Sequence, residues 1–123
     1  MMYQARAAYG RPDPALRSNR QIEYDLFARI TRRLTEANQT RTKDFPGFAR
    51  ALHENQRLWT ALAADVATPG NALPQQLRAR LFYLYEFTAS QTRKALADGA
   101  DITVLIDINT AIMRGLRGEG EPK

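Results

Sequence analysis

The chain has 123 residues, a length that suits a single domain with a core large enough to fold without cross-links. It contains no cysteine, which excludes disulfide bonds, thiolate catalysis and cysteine-ligated zinc, and the single histidine, His53, cannot form a histidine cage for a metal. The net charge is +5 and comes from residues 1–43, which hold nine Arg or Lys against four Asp or Glu.

The N-terminal part is predicted to form a short helical segment over residues 3–9, followed by a break at residues 10–14, which contain one glycine and two prolines. We interpret residues 1–17 as an N-terminal segment with its linker. Ser18 and Gln21 have the spacing of a capping box, which predicts that the first long helix starts there and runs to about Gln39. Its apolar stripe has helical spacing and comprises Ile22, Leu26, Phe27, Ile30, Leu34 and Ala37.

Three further helices are predicted. Asp44 caps the second helix, which ends at the turn residues 68–71; Pro74 opens the third, which stops at Gly99; and Asp101 caps the fourth. Residues 118–123 are expected to be a flexible tail. The apolar stripes are, in chain order, Phe48, Leu52, Trp59, Leu62, Ala63 and Val66; Leu77, Leu81, Leu84, Tyr85, Thr88, Ala95 and Leu96; and Ile102, Leu105, Ile106, Ile112, Met113 and Leu116.

Four amphipathic helices joined by short links predict an all-α fold, a small helical bundle of four main helices plus the short N-terminal segment. We therefore expect one helical domain over residues 1–123. Each helix needs the others to cover its apolar stripe, because isolated helices of this length are marginal in water.

Two asparagines interrupt these stripes. Asn55 lies beside Leu52 and Trp59 in the second helix, and Asn109 lies among the apolar residues of the fourth. A buried amide without a hydrogen-bond partner costs about 1–3 kcal/mol, so we expect each asparagine to find a partner. One candidate partner for each is the other asparagine. A structural bond that fixes helix register is favoured over a bond to the backbone of a bound peptide.

The third helix has a second apolar face. Tyr83 and Phe87 are four residues apart, on the side away from Leu81 and Leu84, with Phe82 and Arg80 nearby. A helix that is aromatic on two sides is either central in its bundle or covered by something else. Two alternatives remain open: the N-terminal segment folds back over this face, or the face binds a partner helix.

The sequence lacks the common catalytic motifs: it has no phosphate-binding glycine loop, metalloprotease motif or nucleophile elbow. We predict no enzymatic activity, no cofactor and no metal site. The N-terminus has no apolar region typical of a signal peptide, and no apolar run approaches the roughly 20 residues of a membrane span. The cytoplasm is therefore the expected location, with no membrane partner.

A basic face is formed by Arg29, Arg32 and Arg33 on the first long helix, with Arg41 and Lys43 following it. Such residues can contact phosphates, which makes RNA binding an alternative function. No nucleic-acid recognition motif accompanies them, and apolar residues lie between them at helical spacing. A solvated helix face is the favoured interpretation, and direct nucleic-acid binding the less favoured one.

Residues 55–66, 71–79 and 105–116 form three ordered blocks that resemble the FlaF family of flagellar regulators. Residues 55–66 read NQRLWTALAADV and are similar to the family pattern N-x-x-L-W-x-x-L-x-x-D. Residues 71–79 (NALPQQLRA) and 105–116 (LIDINTAIMRGL) resemble two further family blocks, although Thr110 stands where many relatives carry a basic residue. The first 50 residues match less distinctively.

The resemblance implies a flagellar biosynthesis regulator that binds flagellin in the cytoplasm, acts as a secretion chaperone and is coupled to FlbT control of flagellin synthesis. Flagellin is then the expected partner, with FlbT as a further one, and the oligomeric state is left open. The candidate partner-binding residues are Arg80, Phe82, Tyr83, Phe87, Asn55, Trp59 and Asn109. The alternative is a post-transcriptional regulator that binds flagellin messenger RNA through the basic face.

Overall fold

The computed structural model describes the backbone of residues 14–118 and the side chains of residues 21–118. This part of the chain forms four α-helices and no strand: α1 (Pro14–Gln39), α2 (Phe45–Ala67), α3 (Gln75–Asp98) and α4 (Thr103–Leu116). The predicted all-α bundle of four main helices is confirmed. The predicted helical segment at residues 3–9 and the tail beyond Gly118 lie outside the described residues.

The start of α1 differs from the prediction. The helix begins at Pro14, so Ser18 lies within it and is not its cap. Proline suits the first position of a helix because the N–H that it lacks would have no partner there. Proline punctuation therefore predicts this boundary better than the capping-box spacing does.

The start of α2 follows its local sequence as predicted. The Asp44 carboxylate accepts a hydrogen bond from the backbone N–H of Gly47 at 3.0 Å, and Pro46 lies in the first turn. A side chain at position 47 would collide with that carboxylate, so glycine leaves the space that the cap needs. An N-cap of this kind satisfies one of the N–H groups that a helix start leaves free.

The link between α3 and α4 follows the prediction to within one residue. Gly99 ends α3 with φ of 72°, a left-handed conformation that glycine adopts without a steric penalty. The side chain of Asp101 accepts hydrogen bonds from the N–H of Thr103 at 3.1 Å and from its hydroxyl at 2.9 Å. Asp101 therefore binds the first residue of α4, but the N-cap itself is Ile102, so the predicted cap is one residue too early.

Short links make successive helices antiparallel. Helix α2 packs against both α1 and α3, whereas α4 packs closely against α1 and makes few contacts with α3. One apolar cluster lies where the α1–α2 link and the α3–α4 link meet, and each of its fully buried leucine, isoleucine and phenylalanine side chains contributes about 1.5–3 kcal/mol. Its members are Leu34, Phe48, Ala51, Leu52, Ala95, Ile102 and Leu105.

The helices differ in how far they extend. Asn109 of α4 contacts Thr31 of α1, and Arg117, just after α4, donates a hydrogen bond to the hydroxyl of Tyr24. The end of α4 is therefore level with Tyr24, whereas α1 continues for ten more residues, to Pro14. At 1.5 Å per residue, about 15 Å of α1 extends beyond the end of α4.

Helix α3 extends beyond α4 by a similar length. Asn109 bonds to both Thr31 and Asn55, so these three residues lie at one level of the bundle. Gln56 follows Asn55 and lies 3.4 Å from the hydroxyl of Thr92, which places Thr92 at the same level. Tyr85 is seven residues before Thr92, just as Tyr24 is seven residues before Thr31, so Tyr85 is also level with the end of α4. The first ten residues of α3, Gln75 to Leu84, therefore lie beyond the end of α4. One end of the bundle therefore lacks a fourth helix among the described residues.

Three residues predicted to lie on buried stripes are exposed instead. Ile22 is 61% exposed, Leu77 is 38% exposed and Leu96 is 41% exposed. Ile22 and Leu77 lie at the end of the bundle that α4 does not reach. Leu96 lies in the last turn of α3, about 100° around the helix from the buried Ala95.

Candidate functional site

A polar layer of four residues crosses the centre of the bundle: Thr31, Asn55, Trp59 and Asn109. Asn109 accepts a hydrogen bond from the indole Nε1 of Trp59 at 2.9 Å. Its amide nitrogen donates to Oδ1 of Asn55 at 2.7 Å and to the Thr31 hydroxyl at 3.1 Å. Asn55, Trp59 and Asn109 are fully buried, and Thr31 is 8% exposed. The layer thus joins α1, α2 and α4.

The indole fixes the direction of every bond in this polar layer. Trp59 Nε1 can only donate, so the atom of Asn109 that faces it must be the oxygen. The Asn109 nitrogen then faces Asn55, which must present its own oxygen. The amide nitrogen of Asn55 consequently has no hydrogen-bond partner in the part of the chain that the structure describes. This orientation follows from donor chemistry and not from observed hydrogens.

The predicted pairing of Asn55 with Asn109 is confirmed. The sequence did not reveal Thr31 as a third member or Trp59 as the donor, although Thr31 follows Phe27 by four residues and so shares its buried face. The ring of Phe27 also meets Trp59 edge to face, with centroids 6.1 Å apart. Because Asn55, Trp59 and Asn109 have no exposed surface here, direct contact between them and a partner stays a prediction.

The aromatic residues of α3 lie mostly at the surface. Tyr83 is 63% exposed and Phe82 is 39% exposed, whereas Phe87 is half-buried and Arg80 is exposed. Phe82 and Phe87 are about 140° apart on the helix, so they do not share a face. Phe82 packs edge to face on Tyr85, with centroids 5.5 Å apart. The predicted aromatic group is therefore divided between two sides of α3.

One side of α3 is turned toward the α3–α4 link. Gln91 marks this side, because its amide donates to the backbone oxygen of Asp101 in that link at 2.9 Å. Helical periodicity places other residues on the same side or at its edge. We call this surface the open flank, and it consists of Leu77, Arg80, Tyr83, Leu84 and Phe87. All of these except Phe87 precede Tyr85 and so lie beyond the end of α4. The prediction that Tyr83 and Phe87 lie on the side away from Leu84 is wrong, because Leu84 and Phe87 are three residues apart and share a face.

The predicted basic face is interrupted by acidic residues. Arg29 and Arg32 are exposed, but Arg33 forms an ion pair with Glu54 of α2 at 2.6 Å. The neighbouring groove between α1 and α2 carries further charges of both signs, among them Glu36 and Arg50. A surface of mixed sign attracts a phosphate backbone less than a uniformly basic one does.

Two further observations concern chemistry and membranes. Residues 14–118 contain no group of three or more acidic or histidine side chains placed to hold a metal ion. None of the helices in this range combines the length and the apolar character that crossing a bilayer requires.

These features define a class: a small helical bundle that is joined by a buried polar layer and carries an apolar flank on its third helix. The family model described as flagellar protein FlaF matches residues 5–116. The chain belongs to the FlaF family and is a flagellar protein. No curated protein and no solved structure matches it.

Proposed function

We propose that this chain is a cytoplasmic, non-enzymatic regulator of flagellar biosynthesis. It binds flagellin as a secretion chaperone and is coupled to FlbT control of flagellin synthesis. Membership of the FlaF family supports the flagellar role. Flagellin segments that would otherwise assemble with one another are kept apart while they are bound.

The observation that carries this proposal is the exposure of large aromatic surface on α3. Tyr83 is 63% exposed and Phe82 is 39% exposed. Aromatic anchors supply most of the binding energy in interfaces of this kind, and amphipathic helices are their usual ligands. Tyr83 is the most exposed aromatic side chain among residues 21–118, so it is the first residue to test.

The direct test is titration of the purified chain with monomeric flagellin from the same bacterium. We would work at about 150 mM salt, where charges more than about 8 Å apart are largely screened. Micromolar or tighter binding supports the proposal. Flagellin that does not bind overturns it.

A matched pair of variants locates the contact. Tyr83→Ala removes an aromatic side chain that is 63% exposed, and Phe45→Ala removes one that is 49% exposed at the start of α2, at the opposite end of the bundle. We expect Tyr83→Ala to weaken flagellin binding at least about tenfold, as truncation of an interface anchor does, with Phe45→Ala near the parent value. Equal effects would remove Tyr83 from the interface.

A parallel titration with the leader of the flagellin messenger tests the alternative function. Binding to the leader alone, falling steeply with salt and lost in Arg29→Glu and Arg32→Glu, would assign the function to the basic face of α1. The ion pair between Arg33 and Glu54 makes that outcome the less expected one. Coupling to FlbT is tested by adding purified FlbT to the chain with and without flagellin.

A further inference from the structure

We propose that the open flank of α3 binds one amphipathic helix of about three turns with acidic residues at its edge, which completes the four-helix bundle beyond the end of α4. This inference rests on the proposed function, since the helix would belong to flagellin. It adds where the helix lies, how long the contact is and which charge it carries.

The length of the contact follows from the unequal helices. The first ten residues of α3 and the first ten residues of α1 both extend beyond the end of α4. Ten residues of α-helix span about 15 Å, which is close to three turns. An added helix of that length would lie beside these two extensions, at the level of Leu77 to Leu84.

The apolar character of the contact comes from the open flank itself. Leu77 is 38% exposed and Tyr83 is 63% exposed, and the half-buried Leu84 and Phe87 lie along the same side. The spacing from Leu77 to Leu84 is seven residues and from Leu84 to Phe87 three, which is the spacing of one helical face. Such a face packs against the apolar face of another helix.

Charge selects the partner. Arg80 is exposed on the open flank, whereas Glu86, the nearest acidic residue of α3, lies beyond Tyr83 on the outer side. An arginine at the border favours acidic residues on the bound helix and speeds its association. Residues 1–13 of this chain carry Arg6 and Arg11 against Asp13, and the whole chain has a net charge of +5. An acidic partner therefore fits better than this chain's own N-terminus or a second copy.

The first experiment is site-specific photo-crosslinking in the full chain. A benzoylphenylalanine replaces Leu77 on the open flank or, as the matched control, Leu96, which is 41% exposed on the same helix but at its other end. With flagellin present, we expect a cross-link from position 77 and none from position 96. Mass spectrometry of the product should identify a helical flagellin segment with acidic residues beside its apolar face.

The second experiment reverses one charge. Arg80→Glu should weaken flagellin binding at least about tenfold, whereas Arg80→Lys should stay within about threefold, because the contact depends on the sign of the charge. Arg93→Glu, an exposed arginine on the outer side of α3, is the control for net charge and should leave binding unchanged.

The outcomes separate the two proposals. If the unmodified chain does not bind flagellin, the proposed function fails and this inference fails with it. If flagellin binds but gives no cross-link from position 77, or if Arg80→Glu binds normally, the inference alone is overturned. A cross-link from position 77 to residues 1–13 or to a second copy, persisting with flagellin present, also overturns it.

Discussion

The indole Nε1 of Trp59 donates to Oδ1 of Asn109 over 2.9 Å, and this bond joins α2 to α4 in the buried centre of the bundle. The amide nitrogen of Asn109 also donates hydrogen bonds to Asn55 of α2 and to Thr31 of α1. A single amide thus holds α4 against two other helices. Buried hydrogen bonds of this kind restrict helix register, because any shift leaves several polar groups without partners.

Asn109→Ala should be among the most damaging single substitutions in the chain. It leaves the indole N–H of Trp59 and the oxygen of Asn55 buried without a partner. We expect the free energy of unfolding to fall by about 2–4 kcal/mol, since each stranded group costs about 1–3 kcal/mol. Urea unfolding followed by the fluorescence of Trp59, the only tryptophan, measures the change.

The control for this variant is Asp107→Ala, which alters an exposed residue of the same helix. It should change the free energy of unfolding by no more than about 0.5 kcal/mol. If Asn109→Ala costs as little as this control, the polar layer does not hold the bundle together.

Asn55→Ala should cost less than Asn109→Ala. After this substitution Asn109 still donates to the Thr31 hydroxyl and still accepts from Trp59. The substitution also removes the unpartnered amide nitrogen of Asn55. We expect the two losses in unfolding free energy to differ by at least about 1 kcal/mol, the cost of one stranded group. Equal losses in the same urea experiment would show that Asn55 Nδ2 has a partner, such as an ordered water.

Arg41→Lys should destabilise the end of the bundle where the links meet. The guanidinium lies 4.1 Å from the ring centroid of Phe48 and donates to the backbone oxygen of Ala100 at 3.1 Å. A lysine cannot stack on the ring and reach that oxygen in the same way, so we expect a loss of about 1–2 kcal/mol in unfolding free energy. Thermal and urea unfolding both measure it.

Lys43→Ala serves as the comparison, because Lys43 is exposed in the same link. Its effect should stay within about 0.5 kcal/mol. A near-neutral Arg41→Lys, indistinguishable from this control, would show that the link does not depend on the guanidinium.

The stability of the chain should depend on pH through Asp101. Hydrogen bonds from the backbone and side chain of Thr103, with a smaller contribution from Arg41, hold the pKa of the Asp101 carboxyl below its ordinary value of 3.8. A lowered folded-state pKa stabilises the fold above the unfolded-state value, and this stabilisation is lost as the pH falls through the folded-state pKa. The Tm of the parent chain should therefore exceed that of Asp101→Ala at pH 7, and the difference should shrink in acid. A difference that does not change with pH would contradict this assignment.

Local chemistry made several features readable from the sequence. The starts at Asp44 and Asp101 and the stop at Gly99 depend on groups within three residues of each boundary, which a sequence pattern contains completely. The pairing of Asn55 with Asn109 was predictable for a different reason. A polar group on an apolar stripe must find a partner, and few other stripes offered one.

The sequence by itself thus determined the number of main helices, most of their ends and the presence of two amides that require buried partners. The tertiary structure alone decided that α4 ends level with Tyr24, that Thr31 completes the polar layer, and that Leu77 and Ile22 stay exposed on stripes that predict burial. The physical reason is the distance along the chain over which each interaction acts. Helix propensity and capping act over a few residues, whereas burial depends on which distant helix reaches the same level of the bundle.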